Sequence, residues 1–311
     1  MTAALFLTRE ALVLGSDREL RRLYERGGVT RLRAGVYLDS AIWRSMDAEE
    51  RYRTRVRAAA LTSHHGAQFS HDSAAAMWHL PTIGRWPDSV HELVGPRNGG
   101  TSRVGIRRHA LGTDGSAAVH DGVTVTSLPR TVVDMACSTS FVRAVAMADA
   151  ALGNPHGTTA LGTTTAEQLR GVADELEPYR GLVRARRVLE FATASSGSPG
   201  ESFARVQFHA LRLPAPELQV PFFDEDGYIG TADFYWSALR LIGEFDGMSK
   251  YGPRRRFQRG LTAAQIVQTE KAREDRLRRV SSGFVRLTWA LTSDRQRLAA
   301  LLRSHGLTSK R

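Results

Sequence analysis

Residues 227–250 read GYIGTADFYWSALRLIGEFDGMSK, and four side chains within them, Asp233, Glu244, Asp246 and Lys250, decide how the chain is read. Tyr228 to Tyr235 is rich in aromatic and β-capable residues and predicts a strand. Leu239 to Phe245 predicts a second, and Trp236-Ser237-Ala238 is a connection short enough for a hairpin. Asp226-Gly227, just upstream, reads as a turn. Asp233 stands among Ala232, Phe234, Tyr235 and Trp236, and Glu244 among Leu241, Ile242 and Phe245. An acid inside an apolar strand is costly unless it is paired or metal-bound. Two acids brought together on adjacent strands can share a hard divalent cation such as Mg²⁺, which takes oxygen ligands and keeps several waters. One of those waters can be activated to attack a phosphodiester. The plainer alternative is that such acids are solvated surface residues or turn formers.

The flanking sequence extends this pattern. In Ser198-Pro199-Gly200-Glu201-Ser202, Ser198 reads as an N-cap and Pro199 as the first turn of a helix, with Glu201 at its positive end. Glu201 is either capping chemistry or a third metal ligand. Gln265 to Val280 reads as a helix with apolar Ile266, Val267, Ala272, Leu277 and Val280. Lys271 and Asp275 are spaced i,i+4, as are Glu270 and Glu274. Gly283 stops the helix, and Phe284 to Trp289 alternates as a strand. The net charge is +11, from 43 Lys and Arg against 32 Asp and Glu. Residues 250–311 carry 16 basic and 4 acidic side chains, while the first 249 carry 27 and 28. Essentially all the excess positive charge therefore follows the acid cluster, as in a phosphate-backbone binder. Arg254, Arg255, Arg256 and Arg259 are the densest part of it, and a solvated face is the bland reading of such a run.

The run Asp233-(x)10-Glu244-x-Asp246 with a nearby Lys resembles the PD-(D/E)XK nuclease superfamily, most closely the branch related to very-short-patch-repair endonucleases. Where the superfamily's name places Lys, two residues after the second acid, this chain has Asp246, and Lys250 follows four residues later. The resemblance implies a C-terminal restriction-endonuclease-like domain acting on DNA with Mg²⁺ (or Mn²⁺). Asp233, Glu244 and Glu201 would hold the ion. Lys250 would stabilise charge on the phosphate in the transition state, and Asp246 would orient it or a water. Glu270 or Lys271 would face the site, and the products would be a 5′-phosphate and a 3′-hydroxyl.

The N-terminal part differs. Leu5 to Leu14 reads as a helix, and a second helix runs from Arg18 to Arg26 before Gly27-Gly28. Val29 to Leu38 reads as a basic, hairpin-like pair of strands. Two short helices and a basic wing suggest a winged helix-turn-helix. The Arg-x-Gly-Val-Tyr strand, here Arg33 to Tyr37, also resembles the N-terminal domain of AbiEi-type antitoxins. Arg21, Arg22, Arg31 and Arg33 are the candidate phosphate or groove contacts, against the alternative that the fold serves packing or protein contacts.

Between these parts, Phe69 to Pro81 and Asp121 to Ala136 resemble two segments of the same proteins, each leading from an extended end into a helix. Val90 to Val94 and Val104 to His109 read as strands. Ser73 and Arg130 are candidates for nucleic-acid or nucleotide contact. His64, His65, His71 and His79 lack a Cys or acid partner at ligand spacing and read as surface or core residues. The expected architecture is α/β, an α+β multidomain chain. It comprises a winged helix over 1–50, a middle αβ module over 51–192 and a nuclease-like domain over 193–311.

The 42% hydrophobic content is ordinary for a globular protein. A single cysteine, Cys137, excludes an intrachain disulfide framework and a Cys-rich zinc site. No apolar run reaches membrane-span length and no signal-peptide pattern opens the chain, so a cytoplasmic location is expected. The expected function is a metal-dependent DNA endonuclease. By resemblance it serves prokaryotic defence, toxin–antitoxin biology or repair, with a cognate toxin or another defence protein as partner. The alternatives are a non-catalytic DNA-binding regulator of the AbiEi antitoxin type, and a C-terminal domain that serves as a protein-interaction surface.

Overall fold

The computed structural model describes residues 5–8, 16–63, 66–95, 104–153, 163–176, 178–247 and 262–309. It is a mixed α/β structure with three sheets, and the chain divides into two compact units. One joins Met1–Thr139 to Thr164–Arg186, and the other joins Ser140–Thr163 to Arg187–Arg311.

The first unit begins with β1 (Phe6–Leu7), α1 (Asp17–Glu25), β2 (Val29–Arg33) and β3 (Val36–Asp39), in the sheet order β1-β3-β2. The expected helix at Leu5 to Leu14 is corrected at its start. Phe6 pairs with Tyr37 and Leu7 with Val36, and residues 9–15 lie outside the described set. Alternation explains the strand: Leu7 is buried with Val36 and Ala58 while Phe6 faces out. Arg33 pairs with Val36, leaving a two-residue turn in which Gly35 takes a positive φ of 79°. Then come α2 (Ser40–Ser45), capped by Asp39, and α3 (Ala48–Ala60), opened by a capping box of Asp47 and Glu50.

A second sheet has the order β6-β5-β4-β8-β7. Its strands are β4 (Gln68–Phe69), β5 (Val90–Leu93), β6 (Ile106–His109), β7 (Ala118–His120) and β8 (Val123–Val125). The helix α4 (His71–Met77) follows β4 and is buried along its whole length, which the run Ala74-Ala75-Ala76 permits by keeping it slim. The helix α5 (Leu128–Ser138) follows β8 with Pro129 in its first turn. Phe69 to Pro81 and Asp121 to Ala136 thus each run from a strand into a helix. Ser73 and Arg130 are corrected as contact candidates, because both point inward. Ser73 accepts from the His91 N–H at 2.7 Å, and Arg130 pairs with Asp134 at 3.0 Å.

The second unit contains α6 (Phe141–Gly153), while α7 (Ala166–Glu175) belongs to the first, and α8 (Leu182–Phe191) is divided between them. Next come α9 (Pro199–Ala210), β9 (Glu217–Asp224), β10 (Gly227–Trp236) and β11 (Leu241–Asp246). The last elements are α10 (Ala263–Val280), β12 (Gly283–Thr288), α11 (Trp289–Ser293) and α12 (Arg295–Ser304). The sheet order is β12-β11-β10-β9, antiparallel except for the parallel pair β11–β12. Three details differ from expectation, the first being that Trp236 ends β10, paired with Leu241, and is not part of the connection. Leu239 belongs to a single 3-10 turn closed by Arg240 in the left-handed region (φ 47°), so β11 starts at Leu241. Trp289 opens a helix because Thr288 caps it, accepting from the Leu291 N–H.

Strand alternation divides the core of this unit. Leu241, Phe245, Val285 and Leu287 pack with Ala204 and Phe208 of α9 and Leu298 and Leu302 of α12. Ile242 and Phe284 point the other way, onto Leu277 of α10.

Candidate active site

The ladder between β10 and β11 ends at Phe234 opposite Gly243, and the next step of that register sets Asp233 opposite Glu244. There the Phe245 N–H donates to Asp233 Oδ2 at 2.8 Å, so the side chain satisfies a backbone group that the ladder no longer serves. The sequence thus puts both acids at the point where two strands part.

Glu201 reaches the same neighbourhood from the first turn of α9. Ser198 caps that helix, accepting from the Glu201 N–H at 3.2 Å. The Glu201 carboxylate accepts from the Ser198 hydroxyl at 2.8 Å, the Gly197 N–H at 2.7 Å and the Gln219 amide at 2.9 Å. The helix is anchored by Asp149, whose Oδ2 accepts from Ser202 and Arg205, each at 2.7 Å.

Glu201, Asp233 and Glu244 are 7, 8 and 5% exposed, so none is a solvated surface acid. Burial, and then the charge of nearby Asp233, push the Glu201 carboxyl up to about 7 against the pull of its three hydrogen bonds. Glu244 is treated differently. Arg273 grips it in a fork, Nη2 to Oε1 at 2.5 Å and Nη1 to Oε2 at 3.2 Å, and donates again to the Thr231 carbonyl at 3.0 Å.

Arg273 is the cation that sequence reading missed. Glu270, an expected site-facing residue, lies 3.7 Å from Arg273, while Lys271 is exposed. The missed signal was positional: Arg273 is four residues before Leu277, a fully buried residue of α10, and so shares its inward face. Gly230 makes room for it, since a Cβ there would come within 2.5 Å of Arg273 Nε.

Asp246 stands at the rim, half-exposed and 3.3 Å from Arg286, which also pairs with Glu274. Lys250, Arg254, Arg255, Arg256 and Arg259 lie outside the described residues. Arg21 and Arg22 are exposed on α1, and Arg31 is exposed on β2. Arg33 is less available. Its Nε is buried without a hydrogen-bond partner, and burial lowers its pKa while Glu92 pulls it back up.

The donor set of Glu201, Asp233 and Glu244 is all oxygen, which suits Mg²⁺ or Mn²⁺. Among the described residues a different set gathers three ligand atoms within 4.8 Å of one another: His71, His91 and His109, in the first compact unit. Sequence reading set histidine ligands aside, and it considered neither His91 nor His109 as a ligand.

No family model matches the chain. It is similar to two proteins of Mycobacterium tuberculosis, uncharacterized protein MT2308 (strain CDC 1551 / Oshkosh) and uncharacterized protein Rv2248 (strain ATCC 25618 / H37Rv). Each is 32% identical over 118 residues, covering 38% of this chain and 41% of the relative. The chain thus spans about two-fifths of the length of the curated relatives it matches. No helix among the described residues is long and apolar enough to cross a membrane.

Proposed function

We propose that this protein is a metal-dependent DNA endonuclease of the PD-(D/E)XK type, with a winged helix at its N-terminus. The observation that carries the reading is that Asp233 and Glu244, each less than a tenth exposed, lie at the step where the β10–β11 ladder ends, with Glu201 close enough to Asp233 for that charge to raise its pKa. Burying charge of one sign is expensive unless a cation answers it. Glu244 has Arg273, whereas Glu201 is held by neutral donors beside the charge of Asp233. Glu201, Asp233 and Glu244 would hold Mg²⁺ or Mn²⁺, which when bound supplies an activated water and polarises the phosphate.

The chain's own groups do the rest. Asp233, fixed by the Phe245 N–H, and Glu201, fixed by three donors, keep their carboxylates in place. Arg273 orients Glu244. Lys250 meets the charge that builds on the phosphate oxygens, and Asp246 orients it or a water. The arginines at 254, 255, 256 and 259 grip the backbone, with Arg21, Arg22 and Arg31 as a second set of phosphate contacts. The setting would be the cytoplasm and prokaryotic defence, toxin–antitoxin biology or repair, with a cognate toxin or another defence protein as partner.

One observation favours a second reading, a DNA-binding regulator of the AbiEi antitoxin type that does not cut. The Arg273 fork already neutralises Glu244, so the fold supplies an internal cation to a carboxylate that a metal ion would otherwise need. Cleavage of supercoiled plasmid by wild type and Asp233→Ala, in Mg²⁺, Mn²⁺ or EDTA, separates the two. Metal-dependent nicking lost in the variant supports the enzyme. DNA binding without nicking by either protein supports the regulator.

A further inference from the structure

We propose that His71, His91 and His109 form a binding site for a divalent transition-metal ion of the Zn²⁺ class. The site lies in the compact unit that does not contain the carboxylates, and it does not depend on the nuclease reading.

Strand geometry makes the site. β5 and β6 are parallel, and Leu93 pairs with His109. His91 is two residues before Leu93 and therefore on the same face, so His91 and His109 are diagonal neighbours. Their rings are 5.1 Å apart, with His109 Nε2 at 3.2 Å from His91 Nδ1. His71 arrives from the end of β4, where the Ser70 N–H donates to the His91 carbonyl at 3.0 Å. Its ring lies against His109 with centroids 3.7 Å apart. The backbone of His71 sits in the left-handed region (φ 50°), an uncommon conformation for a residue with a Cβ, held here where α4 begins.

The atom that points to a ligand is His71 Nε2. His71 is 1% exposed, Nδ1 lies 2.9 Å from Ser70 Oγ, and Nε2 is buried without a hydrogen-bond partner. An orphaned buried polar atom is costly, and packing three imidazoles together does not explain that cost. Fixing one ring nitrogen by a hydrogen bond and leaving the other for a metal is the arrangement seen in histidine ligands. The Asp72 carboxylate lies 3.9 Å from His91 Nδ1, outside the three-ligand set.

Tetrahedral Zn²⁺ sets its nitrogen ligands about 3.4 Å apart. The 3.2 Å separation of His91 Nδ1 and His109 Nε2 matches that spacing, and the three ligand atoms all lie within 4.8 Å of one another. Metal binding would replace the hydrogen bond between those two rings and turn the His71 ring out of its stack on His109. Three imidazoles and no thiolate select Zn²⁺, Co²⁺, Ni²⁺ or Cu²⁺ over Mg²⁺, and three protein ligands leave a position open.

The test is a Co²⁺ titration of the full-length, chelator-stripped protein in excess Mg²⁺, read by visible absorption, followed by Zn²⁺. The expected result is one equivalent of Co²⁺ with ligand-field bands, displaced by Zn²⁺. Binding should weaken at least about tenfold in His109→Phe and His71→Gln and be unchanged in Asp233→Asn. No ligand-field spectrum in the wild type, or equal binding by both histidine variants, overturns the site. Should either variant fail to fold, long-range ¹H–¹⁵N spectra of the wild type decide the matter. Zn²⁺ must shift three imidazole systems together, and unshifted buried imidazoles overturn the proposal.

Discussion

Glu244 and Arg273 form the pair on which the C-terminal site turns, because each is costly without the other. Arg273→Met leaves a carboxylate that is 5% exposed without its fork, and a loss of about 3 kcal/mol in urea unfolding at pH 7 is expected. An unchanged midpoint would mean that Glu244 has another partner. A second buried acid gives a pH signature. Burial pushes the Asp134 carboxyl up to about 6, outweighing the Arg130 guanidinium beside it. Between about pH 4 and 6 the folded chain keeps a proton that the unfolded chain releases, so stability falls as pH rises. That contribution is fully present below about pH 4 and gone above about 6, and amounts to roughly 3 kcal/mol. Asp134→Asn should flatten the fall when urea unfolding is compared across this window. Parallel pH profiles for the two proteins would refute it.

At the scale of elements, Gly200 shows how α9 is held to the sheet. A Cβ there would run into the Phe245 ring, which is itself braced edge-on by Trp289 at 5.3 Å. Gly200→Ala should cost about 1–3 kcal/mol and shift the Glu201 turn, lowering metal-dependent nicking while leaving DNA binding intact. Loss of both together would indicate general unfolding, which circular dichroism would detect. The hairpin and the α9 cap were legible in the sequence because their signals are local: apolar flanks around Asp233 and Glu244, and Ser198-Pro199 before Glu201. Arg273 was not, since a helix with charges on several faces hides which one points inward until Leu277 is known to be buried. The histidine triad was hidden for a different reason. His91 and His109 meet through a parallel pairing of β5 and β6, and nothing in the intervening sequence specifies that partner. The start of β1 was lost to a similar long-range pairing, with Tyr37 and Val36.

Over the whole molecule, charge is the property most readable from the sequence. Sixteen of the 43 basic residues lie in residues 250–311, after the acid cluster, and the remainder of the chain is nearly neutral. Replacing Arg254, Arg255, Arg256 and Arg259 together by Ala should weaken duplex binding and lower the slope of log K against log salt by about three to four, as for four lost phosphate contacts. An unchanged slope would remove these arginines from the interface. The measurement that bears most directly on the central claim is the nicking rate of supercoiled plasmid by wild type, Glu201→Gln and Glu244→Gln over a Mg²⁺ titration, with an EDTA control. Metal-dependent nicking by the wild type, reduced at least about 100-fold in both folded variants, is the expected result. Nicking by the variants at the wild-type rate, or none by a wild type that binds the plasmid at every Mg²⁺ concentration, would contradict it.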